Sequence, residues 1–289
     1  MKNRHPKLPR WHKLPVSELH KAEIFLRSRE RFCVSASARF LKTFKTKDSH
    51  DSVWYIHGYD GELSAIILEN QQSLLPVFGK NLTVPRPSFL RRFLFKIPIH
   101  AVQGIREDAE LLETLMEDQG YYATERVDYA LMSLDGVPRP ESLRAGPEGL
   151  VLRPPLPGDE EALFGLQSAY EKEEVLPKNA AFNPAVCRYN LNKILSYERI
   201  LVAELDREVV GKINTSAESF TRYQIGGVYV RPDCRGRGIA EKMTAFFARD
   251  LVVEGKGVTL FVKKHNEAAL KVYRRTGFST LADYRITYF

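Results

Sequence analysis

Short runs of alternating apolar and polar residues, interrupted by segments whose apolar residues recur every three to four positions, divide this chain into strands and helices. Val16–Thr46 is predicted as one helix, with Ser17 as N-cap and Leu19, Ala22, Ile24, Phe25 and Leu26 on one face. Ser52–Gly58 and Glu62–Glu69 flank Tyr59-Asp60-Gly61 and read as a β-hairpin, with Ser73–Phe78 a third strand. Val84–Lys96 breaks the pattern with Pro85, Pro87 and a basic-apolar run, FLRRFLFK, read as locally packed rather than membrane-bound. Ile99–Gln103 is then a strand, Arg106–Asp118 a helix closed by Gly120-Tyr121, and Asp128–Met132 a strand.

The second half reads in the same terms. Leu150–Arg153 is a strand, Asp159–Glu174 an amphipathic helix and Pro184–Leu195 another. Arg199–Leu205 and Glu208–Ala217 are antiparallel strands around Asp206-Arg207, and Ser219–Val230 continues the sheet. After a turn at Pro232-Asp233, the residues Ile239, Met243, Phe246, Phe247 and Leu251 mark a buried helix face. Val258–Val262, Glu267–Arg275, Gly277-Phe278 and Asp283–Thr287 then repeat the order of residues 99–132: strand, helix, Gly-aromatic pair, and Asp-Tyr entering a last strand. The chain therefore reads as two copies of one fold, 16–135 and 150–289, joined by the Pro/Gly-rich linker 136–149.

At 289 residues with 44% hydrophobic and 27% charged residues, the composition is that of a globular protein able to bury two cores. The net charge of +7 is uneven: residues 1–50 hold 13 Lys and Arg against 4 acidic residues, a balance of +9, so the remainder sums to −2. Residues 1–15 carry five of those cations, three prolines and no acid, and are expected to form a flexible basic arm. Such arms can hold nucleic acid; a solvated tail is the reading taken, with no nucleic-acid or membrane partner. The three cysteines, Cys33, Cys187 and Cys234, have no metal-ligand spacing, and no metal is expected. Their sparse, odd count and the lack of an apolar leader suit a reducing cytoplasm. Cys234 borders the loop described next but has no local His to activate it, so it reads as structural.

Between the strand end Val228-Tyr229-Val230 and the helix at Ile239 lies Arg235-Gly236-Arg237-Gly238. A glycine-rich cationic loop at a helix start presents N–H groups at the positive end of the helix dipole, where phosphate groups bind. The loop matches neither the P-loop nor the dinucleotide fingerprint. The spacing Arg235-x-x-Gly238-x-Ala240 instead resembles the acyl-CoA loop of the GNAT superfamily of N-acyltransferases. The stretch N-x-A-A-x-x-x-Y-x-x-x-G-F, carried by Asn266, Ala268, Ala269, Tyr273, Gly277 and Phe278, resembles that family's second motif block. The resemblance covers roughly 150–289 and implies an α/β fold with a mixed, mostly antiparallel sheet flanked by helices. It also implies transfer of the acetyl group of acetyl-CoA to an amine, small-molecule or peptide, in a ternary complex.

By that resemblance, Val228, Tyr229, Val230, Arg235, Gly236, Arg237, Gly238, Ile239, Ala240, Glu241 and Asn266 contact the cofactor, the strand being splayed by a bulge. Tyr273 takes the general-acid position, with a core aromatic as its alternative; Asn266 reads equally as a helix cap. Some members of the family place a basic carboxylate on the strand where this chain has Gly226-Gly227. Glu174 is the candidate base, with Glu173 and Glu218 as alternatives. The first half lacks Arg-x-x-Gly-x-Ala, with Pro85–Phe95 standing in its place, and is expected to be a degenerate copy without a cofactor site. A non-catalytic acyl-CoA sensor or adaptor is the competing reading.

Overall fold

The computed structural model describes residues 10–45, 52–70, 72–80, 82 and 99–289. The basic arm up to residue 9, and the Pro85–Phe95 stretch, lie outside them. The chain forms two compact units: Met1–Tyr129 with Ala282–Phe289, and Ala130–Leu281.

The first unit contains β1 (His12–Lys13), α1 (Leu19–Arg27), α2 (Val34–Lys45), β2 (Ser52–His57), β3 (Leu63–Asn70), β4 (Ser73–Phe78), β5 (Ala101–Ile105) and α3 (Arg106–Glu117). The single helix expected over Val16–Thr46 is broken into a 3₁₀ turn at Val16–Glu18, α1, a second 3₁₀ turn at Glu30–Phe32, and α2. The Ser28 hydroxyl bonds back to the Phe25 carbonyl at 2.8 Å, and Arg29 and Cys33 leave the helical region at φ −122° and −139°. A serine competing for helix carbonyls is a known way to end a helix. Ser17 caps nothing; Pro15 precedes the first turn. Of the residues expected on one face, Ala22, Phe25 and Leu26 are buried while Ile24 is exposed.

The hairpin forms as expected. Ser52 to His57 pair antiparallel with Glu69 to Leu63, and Gly61 sits in the turn at φ +80°. Ile56, Ile67, Val102, Leu112 and Met116 form the centre of this unit's core.

β6 (Glu125–Leu134) starts in the first unit, and its Ala130–Leu134 belongs to the second. The second unit continues with α4 (Pro140–Leu143), β7 (Val151–Arg153), α5 (Glu160–Tyr170), α6 (Pro184–Tyr197), β8 (Ile200–Leu205), β9 (Glu208–Glu218), β10 (Arg222–Val230), α7 (Ile239–Val253), β11 (Gly257–Lys263) and α8 (Glu267–Thr276). β12 (Ser279–Tyr288) leaves it, and its Ala282 onward lies in the first unit, where Tyr284 to Tyr288 pair antiparallel with Ile105 to Ala101. Strand order is thus β1-β2-β3-β4-β5-β12 in the first unit and β6-β11-β10-β9-β8-β7 in the second. The last strand of each sequence half completes the sheet of the other.

Within the second unit β7 to β10 are antiparallel neighbours, and β10 pairs parallel with β11, Arg222 opposite Gly257. Asp206 and Arg207 take φ +52° and +67°, as a tight hairpin between β8 and β9 requires. α7 buries Ile239, Met243, Phe247 and Leu251 against Met132, Ala203, Ile213 and Val258. The Pro/Gly-rich segment 136–149 is structured: α4 lies within it, and the buried Ser142 donates to Glu241 at 2.8 Å.

The internal repeat survives at atomic detail. Past α3 the chain turns at Gly120, φ +86°, and the Tyr121 N–H returns to the Met116 carbonyl at 3.1 Å. α8 ends at Gly277, φ +113°, and the Phe278 N–H returns to the Tyr273 carbonyl at 3.0 Å. Both exits place a positive-φ glycine before an aromatic residue whose N–H bonds back to the carbonyl five residues earlier, and they equate Met116 with Tyr273. The first copy has no phenol at that position.

Among the described residues no helix is long and apolar enough to cross a membrane, and no group of three or more His, Cys, Asp and Glu is arranged to hold a metal.

Candidate active site

The centre of the second unit is a break in the pairing of β9 and β10. Gly226 pairs with Asn214, but Tyr229 pairs with Lys212, so three steps along β10 match two along β9. The extra residue is a β-bulge, which bends its strand and re-aims backbone groups. Gly227 adopts φ +61°, a conformation that favours glycine. A Cβ there would also fall 2.1 Å from Asn214 Oδ1 and 2.7 Å from Lys212 Nζ.

Directly after β10, the chain turns through Pro232–Cys234 into the loop 235–238 and α7. Gly236 and Gly238 have φ +77° and +79°. Around Gly236 a Cβ would meet open space; at Gly238 it would come within 2.8 Å of the Gly146 nitrogen. α7 starts at Gly238 without a side-chain cap, so the N–H groups of its first turn form the positively polarised end of the helix. Arg235 and Arg237 are exposed beside it. This donor set fits a pyrophosphate, and Gly236, Arg237, Gly238, Ile239 and Ala240 are the residues that would hold one. Glu241 does a different job with its side chain: the carboxylate accepts from Ser142 and from Arg275 at 3.5 Å, tying α7 to α4 and α8.

The end of α5 closes the other side. There the helix widens into a π turn, Glu171–Val175, a feature common at functional sites. Glu173 accepts from the Tyr229 hydroxyl and, at 2.8 Å, from Arg235 Nη2; Arg235 Nε also donates to the Val230 carbonyl at 3.0 Å. Burial disfavours the Glu173 charge, but those two donors outweigh it and hold the carboxyl below its usual range. Burial and the Glu173 charge push Tyr229 up to about 12. Glu174 accepts from Asn266 Nδ2 at 3.0 Å and faces Lys263 Nζ at 3.5 Å. Asn266 in turn caps α8, its Oδ1 accepting from the Ala269 N–H at 3.0 Å. The cap reading of Asn266 holds, and its Nδ2 is engaged by Glu174.

Tyr273 is buried, edge-on to Phe278 with ring centroids 6.0 Å apart. Burial, then the neighbouring Tyr170 and Glu174, raise its pKa well above the ordinary tyrosine value. Glu218 stands apart: it pairs with Tyr223, toward the far end of β10 from the bulge, and forms an ion pair with Lys256. Cys234 is buried, with Arg231 Nη2 3.8 Å from its sulfur.

Two residues to which the sequence reading gave no role in the site sit at the bulge. The Tyr170 hydroxyl accepts from the Gly227 N–H at 3.4 Å, and its ring lies edge-on to Tyr229. Lys212 is fully buried and donates to the Gly227 carbonyl at 3.0 Å and Asn214 Oδ1 at 3.1 Å. The available signal was a lysine within the otherwise apolar run Val209–Ile213, in a strand read as central. Beyond α8, a cavity of about 920 Å³ is lined by Arg139, Lys264, Glu267, Leu270, Lys271, Arg274, Arg275 and Phe278, five of them cationic.

The bulge, the loop and α8 fall within the stretch of the chain that matches known proteins. Residues 165–278 match the acetyltransferase (GNAT) family. A mycothiol acetyltransferase of Streptomyces coelicolor is 39% identical over 85 residues, 27% of this chain and 26% of that protein. An acetyltransferase of Pectobacterium atrosepticum is 31% identical over 84 residues, 28% of this chain and 57% of that protein. The matched stretch thus spans between a quarter and about half of those relatives. A GCN5-related N-acetyltransferase from Sphaerobacter thermophilus superposes with a TM-score of 0.60 at 20% identity, covering 97% of this chain and 95% of that one. A tandem GNAT protein from the clavulanic acid biosynthesis pathway does so at 0.59 and 10% identity, over 97% and 98%. Likeness at such identities concerns the fold.

Proposed function

We propose that this chain, whose residues 165–278 match the GNAT acetyltransferase family, transfers the acetyl group of acetyl-CoA to an amine of a small molecule or peptide. The observation that carries this reading is the bulge at Gly226–Tyr229 opening immediately before the uncapped, two-glycine start of α7. That succession supports a cofactor running from a phosphate held at the helix start to a thioester beside the splayed strand. The Val228–Val230 backbone would donate to the thioester oxygen as charge develops on it, commonly the largest catalytic contribution.

In the reaction a C–N bond forms, the C–S bond breaks, the attacking ammonium loses one proton and the departing thiolate gains one. Tyr273 suits the donor role: its raised pKa keeps the phenol protonated at neutral pH. Glu174, held by Asn266 and facing Lys263, is assigned proton removal through water, with Glu173, held by Tyr229 and by the loop residue Arg235, as the alternative. The first unit is a non-catalytic copy, consistent with Met116 at the position matched to Tyr273.

The test is a screen of amines with acetyl-CoA, read as free thiol released, together with calorimetric titration of the cofactor. Transfer to at least one amine with one cofactor site per chain is expected. Binding without release to any amine would make the chain a sensor and overturn the enzyme reading; two equivalent sites would overturn the degenerate-copy reading.

A further inference from the structure

Lys212 is the largest fully buried side chain of the described residues, and an unpaired ammonium in that position is costly. No carboxylate touches it directly. Its partners are the Gly227 carbonyl at 3.0 Å and Asn214 Oδ1 at 3.1 Å, and its nitrogen lies 5.1 Å from the centre of the Tyr170 ring. The groups facing it are Tyr170 on α5, Glu171 on the π turn and Cys187 on α6. Glu171 is itself engaged by Gln167 at 2.9 Å and Asn190 at 3.3 Å. A polar side chain kept in such a place at such cost calls for a reason beyond packing.

The reason lies in the geometry of one peptide. No peptide of the described chain is cis, so the Gly227 carbonyl and the Val228 N–H lie in one plane and point in opposite directions. Whatever draws the carbonyl inward turns the N–H outward. Lys212 Nζ draws it inward, and the bulge lets the plane rotate because the extra residue has no ladder partner to satisfy. The glycine at 227 makes the contact possible, since any Cβ would collide with both Asn214 Oδ1 and Lys212 Nζ. A donor on the carbonyl also polarises the amide and strengthens its N–H as a donor.

We propose that Lys212 is a positioning residue that orients and polarises the Gly227–Val228 peptide, so that the Val228 N–H is a fixed donor to the thioester oxygen. This inference rests on the acetyl-transfer reading above. Lys212 never meets the substrate; it acts through the peptide it holds.

The experiment pairs Lys212→Met with the parent and reads two signals. The first is the carbonyl ¹³C shift of Gly227 in protein labelled with carbonyl-¹³C glycine and ¹⁵N valine. Only Gly136–Val137, Gly227–Val228 and Gly257–Val258 then give coupled pairs, so two serve as internal controls. The Gly227 signal should move in the variant while the other two stay. In the parent it should also move as the pH crosses about 7, where Lys212 loses its proton; this second measurement stands even if the variant fails to fold. The other signal is the split between kcat and cofactor affinity. Because a misaimed donor costs on the order of 10²-fold in rate, kcat should fall by that order while acetyl-CoA binding is kept. A Gly227 signal unmoved by substitution or pH overturns the brace. A moved signal with unchanged kcat overturns the positioning role. A parent that releases thiol with no amine overturns the transfer reading, and with it the catalytic half of this inference, while the Gly227 signal separately reports the brace.

Discussion

Arg235 reaches back from the glycine-rich loop to Glu173 on the π turn, Nη2 to Oε2 at 2.8 Å, so the loop's first cation is already paired before any anion arrives. A phosphate approaching the loop competes with that carboxylate. Both side chains are more than two-fifths exposed, and exposed pairs contribute about 0–1 kcal/mol. Glu173→Gln should therefore tighten acetyl-CoA binding by at most about fivefold, with kcat nearly unchanged. Titration calorimetry checks the first and thiol release the second. A large loss of kcat with unaltered binding would instead transfer the base role from Glu174 to Glu173.

The two loop glycines should respond differently to the same substitution. Both need positive φ, which costs a residue with a Cβ roughly 1–2 kcal/mol. Gly236 faces open space, whereas a Cβ on Gly238 meets the Gly146 backbone at 2.8 Å, which cannot yield as a flexible side chain would. Gly236→Ala should lower the melting temperature slightly and keep the cofactor-induced shift. Gly238→Ala should displace the 145–146 segment and shrink that shift, and Gly238→Glu, adding charge, should abolish it. Equal shifts in parent and Gly238→Glu would remove the phosphate role from the loop.

What could be read in advance divides by distance along the chain. The Arg235–Ala240 loop, the Asn266–Phe278 block and the paired glycine exits at Gly120 and Gly277 are local patterns, and local rules suffice to find them. Most strands and helices of the second unit were legible for the same reason. Lys212 and Tyr170 were not, because their roles exist only once β9 is opposite a bulged β10 and the end of α5 lies over it. The break at Ser28 turned on one side-chain bond to a helix carbonyl, which periodicity does not report. The placing of Ala282–Phe289 beside β5 was hidden too: alternation specifies a strand and its faces, never which edge it joins.

Lys212 also makes stability depend on pH in a stated direction. Burial lowers its pKa from 10.5 to about 7, with Glu171 and Cys187 opposing only in part. The folded protein then binds fewer protons at this site than the unfolded chain between about pH 7 and 10.5. Stability rises with pH wherever the unfolded state holds more protons. The parent should therefore gain stability relative to Lys212→Met as pH increases from 7 to 10, with no relative change below 7. Urea denaturation of both proteins across that range measures it. Parallel curves would place the Lys212 pKa near its ordinary value.

Tyr273 carries the sharpest claim about chemistry. It is 7% exposed, on the buried face of α8, so a purely packing role is a serious competitor. Tyr273→Phe keeps the ring and its edge contact with Phe278 and removes only the hydroxyl. As general acid to the departing thiolate, the phenol should be worth roughly 10²–10⁴-fold in kcat, with acetyl-CoA affinity little changed because the proton moves only in the transition state. A packing role gives the reverse: a small stability change and near-parental turnover. The pH profile adds an independent check. Burial, with Tyr170 and Glu174 nearby, raises the phenol above the usual tyrosine range, so the acid stays protonated through pH 10. The parental rate should rise as the acceptor amine loses its proton and then hold level to pH 10, without the falling limb an ordinary tyrosine would begin to show there. A variant turning over near the parental rate, or a parental rate already falling below pH 9, would remove Tyr273 from the mechanism and leave the thiolate to be protonated by water.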